Sequence, residues 1–212
     1  MEDGAVNFVR EIEIRQSVCA AFDEMRALLE ELLPRTTGAA RARIEHVGST
    51  SVPGSITKGD LDVCVLVVEA RAFAAADGVL AGRFRRNAGS DRSGSFASFI
   101  GDDAVGGDAV GVGRGPAVKV DGVGGDVVGV GRVPAVGVGI QLVLCGGPED
   151  DFLRWRDLLR RAPQVLEAYN DLKRQWHGRP HDEYRRAKSR FIEDALSSAS
   201  GAASASPADD RG

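Results

Sequence analysis

Residues 60–68, Asp-Leu-Asp-Val-Cys-Val-Leu-Val-Val, constrain the fold of this chain more than any other stretch. A run rich in β-branched apolar residues, opened by Asp60 and Asp62, reads as the strongest strand in the sequence. Side chains alternate across a strand, so Asp60 and Asp62 share one face while Leu61 and Val63 turn to the core. Two carboxylates held that way at the start of a strand suit a divalent cation, whose preferred ligands are oxygens. Eleven residues before Asp60 the chain carries the pair Gly48-Ser49. A small, conformationally free turn of this kind lets backbone N–H groups approach a phosphate. Carboxylates for a metal beside a phosphate turn are the elements of nucleotidyl transfer.

The totals set the outer limits. At 212 residues the chain has the length of one domain with decorations. A formal net charge of −4 argues against a protein that coats nucleic acid, and no DNA-binding motif is present. The charge is uneven, however: residues 152–190 hold eleven lysines and arginines against five acids. A basic C-terminal region opposite an acidic metal site suits a polyphosphate substrate. Cys19, Cys64 and Cys145 are an odd set with no paired spacing, and Cys64 and Cys145 lie in or beside apolar runs, as buried thiols of a reducing compartment do. With no apolar leader and no run approaching the ~18 apolar residues of a membrane span, a cytoplasmic location is expected.

Along the chain, Val6–Arg15 is a candidate edge strand and Ala20–Leu33 an amphipathic helix, with Pro34 marking its end. Arg43–Val47 is a short strand candidate, Ala70–Leu80 is helix-prone, and Arg83–Ile100 reads as a strand with its connections. Residues 101–139 differ in kind, holding 13 Gly and 12 Val and no aromatic residue. Within them Gly107–Val118 returns eighteen residues later as Gly125–Val136, identical at ten of twelve positions. Two glycine-rich copies are too few for a self-supporting solenoid, which leaves a duplicated insertion in a loop or loose hairpin. Val138–Leu144 is the next strand. Asp150 or Asp151 is placed to cap a helix over Phe152–Arg160; further helices follow over Pro163–Trp176 and about Asp182–Leu196, and residues 197–212 are expected to form a disordered Ala/Ser-rich tail.

The string Ile44-Glu45-His46-Val47-Gly48-Ser49-Thr50-Ser51-Val52-Pro53-Gly54 resembles the core motif of GrpB-like proteins, a branch of the nucleotidyltransferase superfold. The likeness continues at Gly146-Gly147-Pro148 with the helix that follows, and closes at Tyr184-Arg185-Arg186-Ala187-Lys188-Ser189-Arg190-Phe191-Ile192. It covers most of residues 40–196 apart from the insertion. The resemblance implies an α+β domain over residues 1–196, a nucleotidyltransferase-like mixed β-sheet flanked by helices, with the metal site at the sheet edge. Carried over by position, it implies phosphate contacts at Gly48 and Ser49 and metal ligation at Asp60 and Asp62. Where active members of the superfold place a third carboxylate on a later neighbouring strand, this sequence offers Gln141, a neutral oxygen donor that cannot serve as a base.

These readings lead to a working mechanism. Asp60 and Asp62 bind Mg²⁺ or Mn²⁺ as catalytic metal ligands. Gly48, Ser49 and Thr50 hold the outer phosphates of an NTP, and Lys58 adds a point charge. Tyr184 and Lys188, four residues apart on one helical face, close over the nucleotide from the basic region. The acceptor, whether a small molecule, an RNA end or a protein, is not encoded legibly. Two other readings stay open: a non-catalytic nucleotide-binding module, and an interaction protein whose Gly/Val repeat is the functional surface. His177 and His181 imitate a metal-spacing pair, but Gly178 and Pro180 break the helical geometry that spacing needs.

Overall fold

The computed structural model describes residues 5–33, 42–101 and 137–204. Pro34, most of the duplicated insertion and the end of the expected tail lie outside the described residues. Strand β1 (Val9–Arg10) leads into helix α1 (Glu11–Leu32), then β2 (Arg43–Val47), a single 3-10 turn at Ser49–Ser51, β3 (Ile56–Thr57) and β4 (Leu61–Val67). Helix α2 (Ala70–Arg83), β5 (Arg85–Arg86), β6 (Phe96–Ile100) and β7 (Val138–Leu144) follow, and α3 (Phe152–Arg161), α4 (Pro163–Trp176) and α5 (His181–Ser204) complete the order. The chain divides into two compact units.

One unit, Ile14–His46 with Asp60–Glu149, is built on a five-stranded sheet of order β2-β4-β7-β6-β5. The sheet is mixed: β4 and β7 run parallel, whereas β6 is antiparallel to both β7 and β5. Alternation sorts its residues cleanly. Leu61, Val63, Val65 and Val67 of β4, with Ile140 and Leu142 of β7 and Phe99 of β6, enter one core with Met25 and Leu29 of α1 and Phe73 and Leu80 of α2. Asp62 and Gln141 therefore belong to the opposite face of the sheet.

The other unit joins residues 5–13, Val47–Gly59 and residues 150–204. Its core is aromatic: Trp155 of α3 meets Tyr169 of α4 edge-on at 5.2 Å, and Tyr169 stacks on Phe191 of α5 at 5.5 Å. Strands β1 and β3 pair antiparallel as a two-stranded ribbon.

Several expectations shift. The edge strand over Val6–Arg15 shrinks to Val9–Arg10, because Glu11–Arg15 already form the first turn of α1. Asp60 precedes β4 rather than opening it. Asp151 occupies the N-cap position of α3 but makes no capping bond, since its carboxylate is taken by Arg154 one turn on. Helix α5 runs to Ser204, past the expected end at Leu196. Cys64 is buried, but Cys145 is partly exposed and Cys19 exposed.

Candidate functional site

The carboxylates come first, within the sheet unit. Parallel register sets Asp62 opposite Gly139 and Leu61 opposite Val138, so Gly137 is the partner position for Asp60. A Cβ on Gly137 would lie 3.3 Å from Asp60 Oδ1, and one on Gly139 would lie 3.2 Å from Asp62 Oδ1. Gly137 and Gly139 are two residues apart, so the two acids lie against successive positions on one face, in space that any other side chain would fill. Gln141 shares that face. Its Nε2 donates to Asp62 Oδ1 at 3.4 Å, while its Oε1 is buried without a hydrogen-bond partner. The set is thus two carboxylates and one amide, oxygen donors suited to Mg²⁺ or Mn²⁺. Among the described residues no cluster of three His, Cys, Asp or Glu can hold a metal ion.

The phosphate-type turn belongs to the helical unit. Gly48 adopts φ 70° and ψ −173°, a conformation that essentially requires glycine, and the chain reverses there into Ser49–Ser51. Ser51 donates to the Gly48 carbonyl from both its backbone N–H (3.3 Å) and its Oγ (2.7 Å). Three polar side chains then hold the loop. Arg160 of α3 donates Nε and Nη2 to the Ser51 carbonyl at 3.2 and 2.7 Å. Asn170 of α4 accepts the Ile56 N–H at 2.9 Å and donates Nδ2 to the Gly54 carbonyl at 3.0 Å. Lys173, one turn later, donates to Ser49 Oγ at 2.8 Å, to Ser55 Oγ at 3.0 Å and to the Ile56 carbonyl.

Lys173 is the residue that the sequence reading missed. It is 1 % exposed, and its ammonium lies 4.0 Å from the centre of the Tyr169 ring. Burial holds its pKa well below the usual lysine value, and the like charge of Lys188 pushes the same way. A signal was present. Lys173 follows Tyr169 by four positions and Leu166 by seven, which places a lysine on the apolar stripe of α4.

The other expected residues lie as follows. Thr50 is buried beside Ser49, at 5 % exposure. Lys58 is exposed, its Nζ 3.5 Å from His181 Nε2. His177 accepts the Phe8 N–H on Nδ1 at 3.2 Å. Tyr184 is 4 % exposed and sits edge-on to Phe8 at 5.2 Å; burial pushes its phenol up to about 12, with a hydrogen bond to Tyr169 pulling the other way. That position is a packing position of the interior. Lys188, one turn on, is half-buried. The helical unit therefore gathers Gly48, Ser49 and Thr50 at one turn and carries Lys58, Tyr184 and Lys188, and the sheet unit carries Asp60 and Asp62.

Comparison with known proteins agrees with the resemblance read from the motifs. The GrpB protein family profile matches residues 12–92, which include both the turn and the paired aspartates. A UPF0157 protein of Vibrio cholerae is 29% identical over 158 residues, 74% of this chain and 68% of the relative. Among solved structures, the conserved protein GrpB from Enterococcus faecalis superposes with a TM-score of 0.57 at 17% identity, over 90% of this chain and 98% of that one. A weaker likeness, TM-score 0.42 at 14% identity, is to a Cid1 poly(U) polymerase, over 76% of this chain and 40% of that one. The chain is similar to GrpB proteins over residues 12–92, and its fold is the expected α+β arrangement of a mixed sheet flanked by helices.

Proposed function

We propose that this GrpB-like chain is a metal-dependent nucleotidyltransferase that moves an NMP group from an NTP to an acceptor. The observation that carries the reading is the pair Asp60 and Asp62 set over Gly137 and Gly139 on one face of the sheet. Asp60 and Asp62 hold Mg²⁺ or Mn²⁺ in this reading, with Gln141 within reach of Asp62; a bound ion there neutralises charge on the phosphates. Gly48, Ser49 and Thr50 hold the outer phosphates, and Lys58 adds a positive charge. An acceptor oxygen attacks the α-phosphorus in line, the bond to the bridging oxygen breaks, and pyrophosphate leaves.

A second reading, a nucleotide-binding module without catalysis, is favoured by Gln141, whose amide takes no proton from the attacking group. Incorporation of label from α-labelled NTP into an acceptor, with and without divalent cation, separates the two. The transferase reading expects cation-dependent incorporation that Asp60→Asn with Asp62→Asn abolishes. Binding of NTP without incorporation leaves the module, and no NTP binding with either cation removes both. No described helix is long and apolar enough to cross a membrane.

A further inference from the structure

The helical unit buries the amino group of Lys173 among partners that are all neutral: two serine hydroxyls, one carbonyl and one phenol ring. Buried ammonium groups normally meet a carboxylate, because desolvation is otherwise uncompensated. The three hydrogens of Lys173 are matched one to one by Ser49 Oγ, Ser55 Oγ and the Ile56 carbonyl, which leaves none to touch a ligand directly.

The consequence lies at Ser49. An ammonium has no lone pair, so toward Lys173 the Ser49 oxygen accepts, and its own hydrogen is left to point elsewhere. No described group takes that hydrogen. Ser51, two residues on, spends its hydroxyl on the Gly48 carbonyl, so the two serines of the turn are not equivalent.

We propose that Lys173 is a positioning residue that aims the Ser49 hydroxyl out of the turn, toward the phosphates held at Gly48–Thr50. The inference rests on the nucleotide reading above and adds to it the residue behind the turn that orients one of its phosphate contacts. Lys173 acts from behind, through Ser49.

Calorimetric titration with inorganic tripolyphosphate tests this, because that ligand has no base or sugar and, without added cation, gives Asp60 and Asp62 no part. The wild type binds; Ser49→Ala and Lys173→Met each weaken binding about tenfold or more; the double variant is no weaker than either single, because both act through one hydroxyl. Additive losses, or full affinity in Lys173→Met, overturn the proposal. Circular dichroism checks that Lys173→Met folds. If it does not, Ser49→Thr, which keeps the hydroxyl, retains affinity while Ser49→Ala loses it; equal affinities of those two overturn the proposal. A wild type that binds ATP with Mg²⁺ but not tripolyphosphate overturns this inference alone. One that binds neither ligand overturns the nucleotide reading with it.

Discussion

At the scale of single residues, burial rather than side-chain chemistry decides which candidates are free to meet a ligand. Tyr184 illustrates the point, since its place in the motif invites a ligand role while its ring lies in the interior with Phe8 and Tyr169. The folded protein keeps the Tyr184 proton to about pH 12, whereas an unfolded tyrosine releases it near 10. Between those values the folded state binds more protons than the unfolded one, so stability falls as pH rises through that window. Urea titrations across it should show a loss on the order of 2–3 kcal/mol that Tyr184→Phe largely removes. An unchanged alkaline profile in Tyr184→Phe would show the phenol to be solvated. Asp60 and Asp62 were legible in the sequence because alternation along a strand needs no knowledge of the partner strand. Lys173 was not read, although a lysine on an apolar stripe is a visible anomaly. Its meaning depends on the loop of residues 48–57, more than a hundred positions away, and no local pattern links the two.

At the scale of elements, β2, β4, β7, α3 and α4 were readable nearly to the residue, because β-branched runs and three- to four-residue spacing are local signals. Helix α1 was read nine residues short. Its first turn, Glu-Ile-Glu-Ile, alternates like a strand, yet acids suit a helix N-terminus and the longer periodicity prevails. Gly139 was read both with the insertion and with the strand Val138–Leu144, but neither it nor Gly137 was linked to the two acids. Their role is spatial, because a side chain at Gly139 would press on Asp62 Oδ1 and on Gln141 Nε2, 3.1 Å away. Gly139→Ala should therefore leave the fold intact, at a stability cost of about 1 kcal/mol, and weaken Mn²⁺ binding several-fold. Denaturant melts and a metal titration on one sample check both halves, and unaltered metal affinity would remove the cradle from the account.

For the whole molecule, the duplicated Gly/Val stretch joins two consecutive antiparallel strands. At its base Gly101 N–H meets the Val138 carbonyl at 2.9 Å, and Ile100 is registered with Gly139, so β6 and β7 pair as consecutive antiparallel strands on either side of residues 102–136. Loop-closure entropy grows only slowly with length, so residues 102–136 should be dispensable to folding. Replacing them with Asn-Gly, a two-residue hairpin turn, should preserve the circular dichroism spectrum and shift Tm by no more than a few degrees. Loss of cooperative unfolding would make the insertion part of the core. The same end of the strand pair presents Gly137 and Gly139 to the acids, and the claim on which the functional reading depends can be measured there. Titrating Mn²⁺ by electron paramagnetic resonance in the presence of ATP, the account predicts a bound ion in the wild type and at least tenfold weaker binding in Asp60→Asn with Asp62→Asn. Equal Mn²⁺ affinity in the two proteins would contradict it.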